Sequence, residues 1–374
     1  MKIVVAMDSF KGSLSAVRAC EIVAESISSI IPGAEILIKP MADGGEGTAK
    51  AMIAAGNGQW VEKTVTGPLP EMRVCAGFGW FANDRTAVVE MASAGGLELL
   101  SPDLQNPLKT TTYGTGQLIT AAESHGAGRI LLAVGGSATV DGGVGAAMAM
   151  GWKFLDKEGK EIGLGGGQLP LIHRIISPIK PNRAAVEVLC DVDNPLCGEH
   201  GAAKVYGPQK GATEEMVELL EEGLSHLAEA ARVQLGCDVK NLPGAGAAGG
   251  LAAGAVVFMD ARLVSGIETV MSQSRLGQSA AGADWVITGE GRFDRQSLRG
   301  KVVSGVAQTA KEAGAKAVVL AGQVLLEPRE YRDLGITEAF GCKREQMTLQ
   351  YAMENSEKLL AEAAKNFAMK HLCG

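Results

Sequence analysis

The pattern that most restricts this chain is an alternation of short apolar runs and helical periodicity that holds at both ends and breaks in the middle. Residues 2 to 7 are a strand-like apolar run, and Ala16, Ala19, Val23, Ile27 and Ile30 then recur at helical spacing. A second strand is expected at Ile36 to Lys39 and a short helix at Thr48 to Ala55. From Val61 the rhythm changes to three strand-like runs, Val61 to Thr66, Arg73 to Trp80 and Thr86 to Met91, followed by a helix at Gly116 to His125 and a strand at Ile130 to Val134. Alternation returns late, with strands at Trp285 to Thr288, Ala317 to Ala321 and Thr337 to Phe340, a helix after Lys301, and a closing helix from Leu349.

The five strands of the two ends suit a doubly wound, flavodoxin-like parallel sheet, and the β-β-β-α-β stretch suits a separate domain inserted into it. At 374 residues the chain exceeds what one core holds. We therefore expect a discontinuous domain of residues 1–64 and 280–374 and an inserted α/β domain of residues 65–279.

In such sheets ligands bind beyond the carboxyl ends of strands, so the residues that directly follow each strand are the first candidates. Asp8-Ser9-Phe10-Lys11-Gly12-Ser13 sets a carboxylate, a hydroxyl and an ammonium before a helix N-terminus, which suits a phosphate or a metal-bound phosphate. The same residues also suit an ordinary helix cap by Ser13 or Ser15. Asp43-Gly44-Gly45-Glu46-Gly47 opens the next helix, its glycines leaving backbone bare for a cradle and its acids offering metal or proton chemistry; a plain tight turn is the alternative. Gly135-Gly136-Ser137-Ala138-Thr139, continuing to Asp141-Gly142-Gly143, offers hydroxyls and N–H groups to phosphate oxygens.

Asp191-Val192-Asp193-Asn194-Pro195 places two aspartates where they can share a divalent cation or divide metal binding and proton acceptance between them, or form an Asx-turn. Glu290 and Arg292 follow the Trp285 strand; Arg292 is a fork for carboxylate or phosphate, or the partner of Asp294 in a surface ion pair. Lys210 lies in a further turn, Gly207 to Gly211, from which it can reach an anion.

Other classes are disfavoured. The formal charge of −7 lacks the basic face that nucleic acid requires. Seven scattered cysteines with no C-x-x-C spacing suggest neither a disulfide framework nor zinc, as expected in a reducing cytoplasm. Five apolar residues after Lys2 are too few for a signal peptide, and Gly244 to Met259, rich in glycine and alanine, is too short to span a membrane. No P-loop occurs, since Gly300-Lys301 is followed by Val302. Gly244 to Gly249 fits G-x-G-x-x-G but follows Leu242-Pro243 rather than a strand, so a glycine-rich turn packed near the site is expected there.

In order along nearly the whole chain, these segments resemble the bacterial type I glycerate kinases. The matching segments are Asp8 to Lys11, Ala42 to Gly47, Gly135 to Thr139 with Asp141 to Gly143, Cys190 to Val192, Asn194 to Leu196, Tyr206 to Ala212, Gly244 to Gly250 and Gly289 to Arg292. The resemblance implies transfer of the γ-phosphoryl of ATP to D-glycerate with Mg²⁺, giving 2-phosphoglycerate in sugar-acid or glyoxylate breakdown. It also implies that the inserted domain is restriction-endonuclease-like. Met7, Val140 and Gln323 stand where the family usually has proline, asparagine and serine.

On this reading Lys11, Asp43 and Asp191 are catalytic. Ser9, Gly44, Gly45, Gly135, Gly136, Ser137, Lys210, Glu290 and Arg292 bind substrate or phosphate, and Asp8 and Asp193 bind metal. A monomer or homodimer is expected, with no nucleic-acid or membrane partner. The alternatives are a 3-phosphoglycerate-forming kinase, an NAD-dependent hydroxy-acid oxidoreductase, which calls for G-x-G-x-x-G directly after the first strand, and a non-catalytic sugar-acid-binding protein.

Overall fold

The structure, a computed structural model, describes residues 1–179, 184–298 and 301–373. The chain forms two compact units, one of Met1–Asp43, Lys50–Asn57 and Ile267–Gly374, the other of Gly44–Ala49 and Gly58–Gly266.

The first unit is built on five parallel strands, ordered Ile336–Gly341, Lys316–Ala321, Trp285–Gly289, Lys2–Met7 and Glu35–Ile38. A parallel sheet is covered on both faces, so its strands read as continuous apolar runs, and Ile3 to Met7 are all fully buried. Alternate residues Ile3, Val5 and Met7 share a core with Val23 and Ile27 of helix Ala16–Ser28 and with Leu360, Ala364 and Phe367 of helix Ser356–His371. Helix Val302–Glu312 packs against Trp285–Gly289 and Lys316–Ala321, the two strands it connects. Ser15, rather than Ser13, caps the first helix, its Oγ accepting from Arg18 N at 3.2 Å. The closing helix expected from Leu349 is two helices, Leu349–Glu354 and Ser356–His371. Asn355 leaves helical geometry between them and donates its side-chain amide to Tyr351 O at 2.9 Å.

The second unit holds a mixed six-stranded sheet, ordered Arg262–Val264, Ala185–Leu189, Arg129–Ala133, Thr86–Glu90, Arg73–Phe81 and Gln59–Thr66. The last three are antiparallel neighbours and the others pair in parallel. Helix Tyr113–His125 is the crossover that parallel pairing of Thr86–Glu90 with Arg129–Ala133 requires. Among the helices not read in the sequence are two of this unit. Glu214–Leu235 is capped by Thr213, and Leu251–Met259 is buried along nearly its whole length. No helix among the described residues is long and apolar enough to cross a membrane.

Gly289 ends its strand where a Cβ would lie 1.8 Å from Leu320 O of the neighbouring strand. No side chain fits without separating the two strands. Gly289→Ala is therefore expected to lower stability by roughly 1–3 kcal/mol in urea unfolding. Gly277→Ala, on helix Leu276–Ala280 with open space around it, is expected to leave stability unchanged or raise it by up to about 1 kcal/mol.

Candidate functional site

In the first unit the sheet order reverses beside its first strand. The chain runs outward from Lys2–Met7 to Glu35–Ile38, then returns on the other side at Trp285–Gly289. Asp8 and Glu290 directly follow the two strands that flank this switch point, where doubly wound sheets hold ligands. Met7 and Gly289 are paired in register, and Asp8 N donates to Gly289 O at 2.9 Å. Asp43 adds a third carboxylate, whose charge acts on both of the others.

The half-buried Asp8 carboxyl is pushed up to about 7, chiefly by burial and then by the negative charge of Asp43 and Glu290. The Ser9 N–H, 2.6 Å from Oδ1, and the charge of Lys11 oppose the shift without cancelling it. Glu290 is raised as well, first by burial and then by Asp294 and Asp43, against the Ser297 hydroxyl and Lys301. Its Oε1 is buried with no hydrogen-bond partner among the described residues. At the strand ends burial and like charge thus weigh against ionisation more than Lys11 and Lys301 favour it.

A divalent cation suits this imbalance. Among the described residues no three carboxylate, imidazole or thiolate groups converge to coordinate a metal unaided. Mg²⁺ does not need them, because it is commonly held by one or two carboxylates together with water and substrate phosphates. Ser9 is half-buried beside Asp8, and Lys11 lies exposed at the loop tip. Arg292 forms the surface ion pair, with Nε 3.0 Å from Asp294 Oδ2.

In the second unit two glycine loops meet. Gly135 N donates to Gly44 O at 3.4 Å, and a Cβ on Gly135 would lie 2.6 Å from Gly45 Cα, so this approach requires glycine. Gly136 is exposed at φ +72°. Its N–H and that of Ser137 donate to no protein acceptor among the described residues. Two free N–H groups on bare backbone are what an anion requires.

Both loops are fixed from behind by residues that sequence motifs do not reveal. Glu90, the buried last residue of its strand, accepts from Gly47 N at 3.2 Å and Ala49 N at 2.5 Å, at the start of helix Thr48–Ala55. The strand-end rule that selected Asp8 also selects Glu90, but the residues directly after it, Met91 to Ala94, carry no glycine and no further charge to draw attention. Asp141 is buried and accepts from Thr112 N, Gly143 N and Gly145 N and from the hydroxyls of Thr111 and Thr112. It thus joins the starts of helices Tyr113–His125 and Val144–Ala149. Burial pushes its pKa up, against those N–H groups. Val140 packs into the hydrophobic core.

Lys210 is turned inward from the turn that carries it. It is 2% exposed, and Nζ donates to Ser137 Oγ at 2.6 Å and Thr139 O at 2.7 Å. Asp191 and Asp193 lie exposed beyond Ala185–Leu189, and Asp191 Oδ1 accepts from Gly266 N at 3.0 Å. Asn194 anchors the same loop, accepting from Tyr206 OH at 2.7 Å and donating to His200 O at 2.8 Å. The structure thus brings Asp8, Asp43 and Glu290 together in one unit, and Gly44, Gly45, Gly135 and Gly136 together in the other.

The family model described as "Glycerate kinase family" matches residues 3–372. The chain is 44% identical to a glycerate kinase of Halalkalibacterium halodurans, across 98% of this chain and 97% of that protein. It is 43% identical to the glycerate 2-kinase of Escherichia coli K12, with the same coverage of each. A crystal structure described as that of a glycerate kinase 2 from Salmonella typhimurium LT2 superposes with a TM-score of 0.87 at 42% identity, covering 99% of this chain and 98% of that one.

Crowding of the carboxylates has a pH signature in the ligand-free protein. Asp8 titrates near 7 when folded and near its ordinary value of about 4 when unfolded, so its ionisation opposes folding. The penalty is absent below about pH 4, grows as pH rises, and is complete above about pH 7. Asp8→Asn is expected to melt at a higher temperature than the unsubstituted protein at pH 8 and at the same temperature at pH 4. Thermal melts at the two pH values check this, and an equal difference at both would contradict it.

Proposed function

The chain belongs to the glycerate kinase family and is an ATP-dependent kinase, and we propose that it phosphorylates the 2-hydroxyl of D-glycerate, giving 2-phosphoglycerate in sugar-acid or glyoxylate breakdown. The assignment of the 2-position follows the E. coli relative, a glycerate 2-kinase. We further propose that the first unit is flavodoxin-like, interrupted by a restriction-endonuclease-like insertion. Its strand order, with the second strand in the chain outermost and the first, third, fourth and fifth following, supports the former.

The observation that carries the mechanistic reading is the pair of carboxyls at the switch point, Asp8 and Glu290, whose ionisation burial disfavours. Phosphoryl transfer requires positioning and charge neutralisation more than covalent chemistry. Bound Mg²⁺ would neutralise charge on the phosphates. Asp8 and Glu290 would hold it, consistent with the raised pKa of each and the unpartnered Glu290 Oε1. Lys11 is exposed next to Asp8, where an ammonium can meet the transferring phosphoryl group. The Gly136 and Ser137 N–H groups, which donate to no acceptor among the described residues, would donate to phosphate oxygens.

Asp191 is assigned to orient the glycerate hydroxyl and take its proton. It is exposed at a strand end, and the bond from Gly266 fixes one of its oxygens. The oxidoreductase alternative calls for G-x-G-x-x-G directly after the first strand, where Asp8 to Lys11 stand instead. The G-x-G-x-x-G match at Gly244 to Gly249 is buried, and a Cβ on Gly249 would lie 1.9 Å from Thr139 O.

With ATP, Mg²⁺ and D-glycerate, phosphorus NMR of the product is expected to identify 2-phosphoglycerate. Formation of 3-phosphoglycerate would overturn the position, and absence of any phosphoglycerate would overturn the reading. Asp191→Asn is expected to lower kcat by about 10²–10⁴-fold with little change in the KM for glycerate. Near-normal turnover would remove Asp191 from the role of base.

A further inference from the structure

We propose that Lys210 is a positioning residue for phosphate binding: it fixes the Gly135–Thr139 backbone from inside and lends its charge to an anion taken up on the Gly136 and Ser137 N–H groups. This rests on the reading of that loop as a phosphate cradle. Pinning a loop does not require an ionisable group, since a neutral donor or apolar packing would serve. Burying an ammonium is costly unless it is paired.

The pairing here is incomplete. Both hydrogen-bond partners of Nζ among the described residues are neutral oxygens, Ser137 Oγ and Thr139 O. Asp141 is the charged group whose field supports the ammonium. Its carboxylate oxygens, however, are engaged by the Thr111, Thr112, Gly143 and Gly145 donors. The turn that carries Lys210 packs against the Gln105 backbone, which brings no charge. Burial accordingly pulls the ammonium down to about 7, opposed by Asp141.

A phosphate on the outer side of the loop would be the missing counter-charge. Ser137 receives Lys210 through its side chain, while its own N–H donates to no acceptor among the described residues. Anion binding would raise the Lys210 pKa, so binding near pH 7 and above takes up a proton. By linkage, affinity then falls as pH rises above about 7.

The test uses the full chain and two phosphate-bearing ligands, ADP and 2-phosphoglycerate, which distinguish a nucleotide phosphate from a product phosphate. Titration calorimetry at pH 7.5 in HEPES and in Tris, whose ionisation heats differ, reads proton uptake. For at least one ligand the unsubstituted protein is expected to take up protons, and Lys210→Met to bind about tenfold more weakly at pH 6.5 and to lose that uptake. Equal affinity and equal uptake in Lys210→Met for both ligands would overturn the inference.

Gly136→Ala, which puts a side chain on the exposed face of the cradle, separates the two levels of the argument. If it weakens binding while Lys210→Met does not, the cradle stands and the role of Lys210 falls. If neither weakens binding, the cradle reading falls too. Should Lys210→Met fail to fold, Ser137→Ala decides, because it removes one Nζ partner and keeps the backbone N–H. A displaced pH profile of proton uptake supports the coupling, and an unchanged profile overturns it.

Discussion

The first unit depends on parallel pairing between Lys2–Met7 and Trp285–Gly289, two segments separated by more than half the chain. Neither strand has a local reason to find the other, since parallel neighbours cannot be joined by a hairpin. Pairing is rewarded only when both faces are covered, and helices Ala16–Ser28 and Ser356–His371, from opposite ends of the sequence, meet over Ile3, Val5 and Met7 to cover one of them. Once the register is set, chemistry follows without further design. Asp8 and Glu290 emerge side by side because Met7 and Gly289 are partners, and Gly289 permits the close approach of Leu320 that keeps the strands together.

The same register works against stability. Carboxylates at adjacent strand ends repel, and partial burial removes the water that would screen them. A protein selected for stability alone would place neutral residues there. In the second unit the compromise takes another form: Asp141 is buried but saturated with donors, whereas Lys210 is buried with only neutral partners. A saturated buried charge organises structure. An unsaturated one leaves room for a bound group to complete it, and Lys210 is of this second kind.

How much of this could be read from the residues follows from the range of the forces involved. The strands of the five-stranded sheet were legible because burial on both faces writes apolar runs, and the break in alternation at Val61 corresponds to the antiparallel strands of the mixed sheet, whose edge strand Arg262–Val264 is too short to be read. Helix Glu214–Leu235 was not read, its apolar positions being interrupted by eight charged or histidine side chains, most of them exposed. Glu90 carries no motif because its partners, Gly47 and Ala49, lie about forty residues earlier. A lysine in a turn is expected in solvent, and only tertiary packing turns Lys210 inward. The split at Asn355 reflects a local competition between side-chain and backbone hydrogen bonds that periodicity does not register.

Glycine patterns show the limit most clearly. Gly136 and Gly249 both adopt φ near +70° and +64°, both sit in glycine-rich stretches, and both match signatures associated with phosphate. Their environments are opposite. A side chain on Gly249 would collide with the Thr139 carbonyl, so its glycine is required by packing against the protein itself. At Gly136 the nearest atom to an added Cβ is the Ala92 methyl at 3.2 Å, the residue is exposed, and its N–H has no acceptor among the described residues. The sequence signal is identical because both positions demand backbone without a side chain. What distinguishes a cradle from a close contact is whether the donors exposed by that backbone are already used, and this depends on the partner surface rather than on the motif.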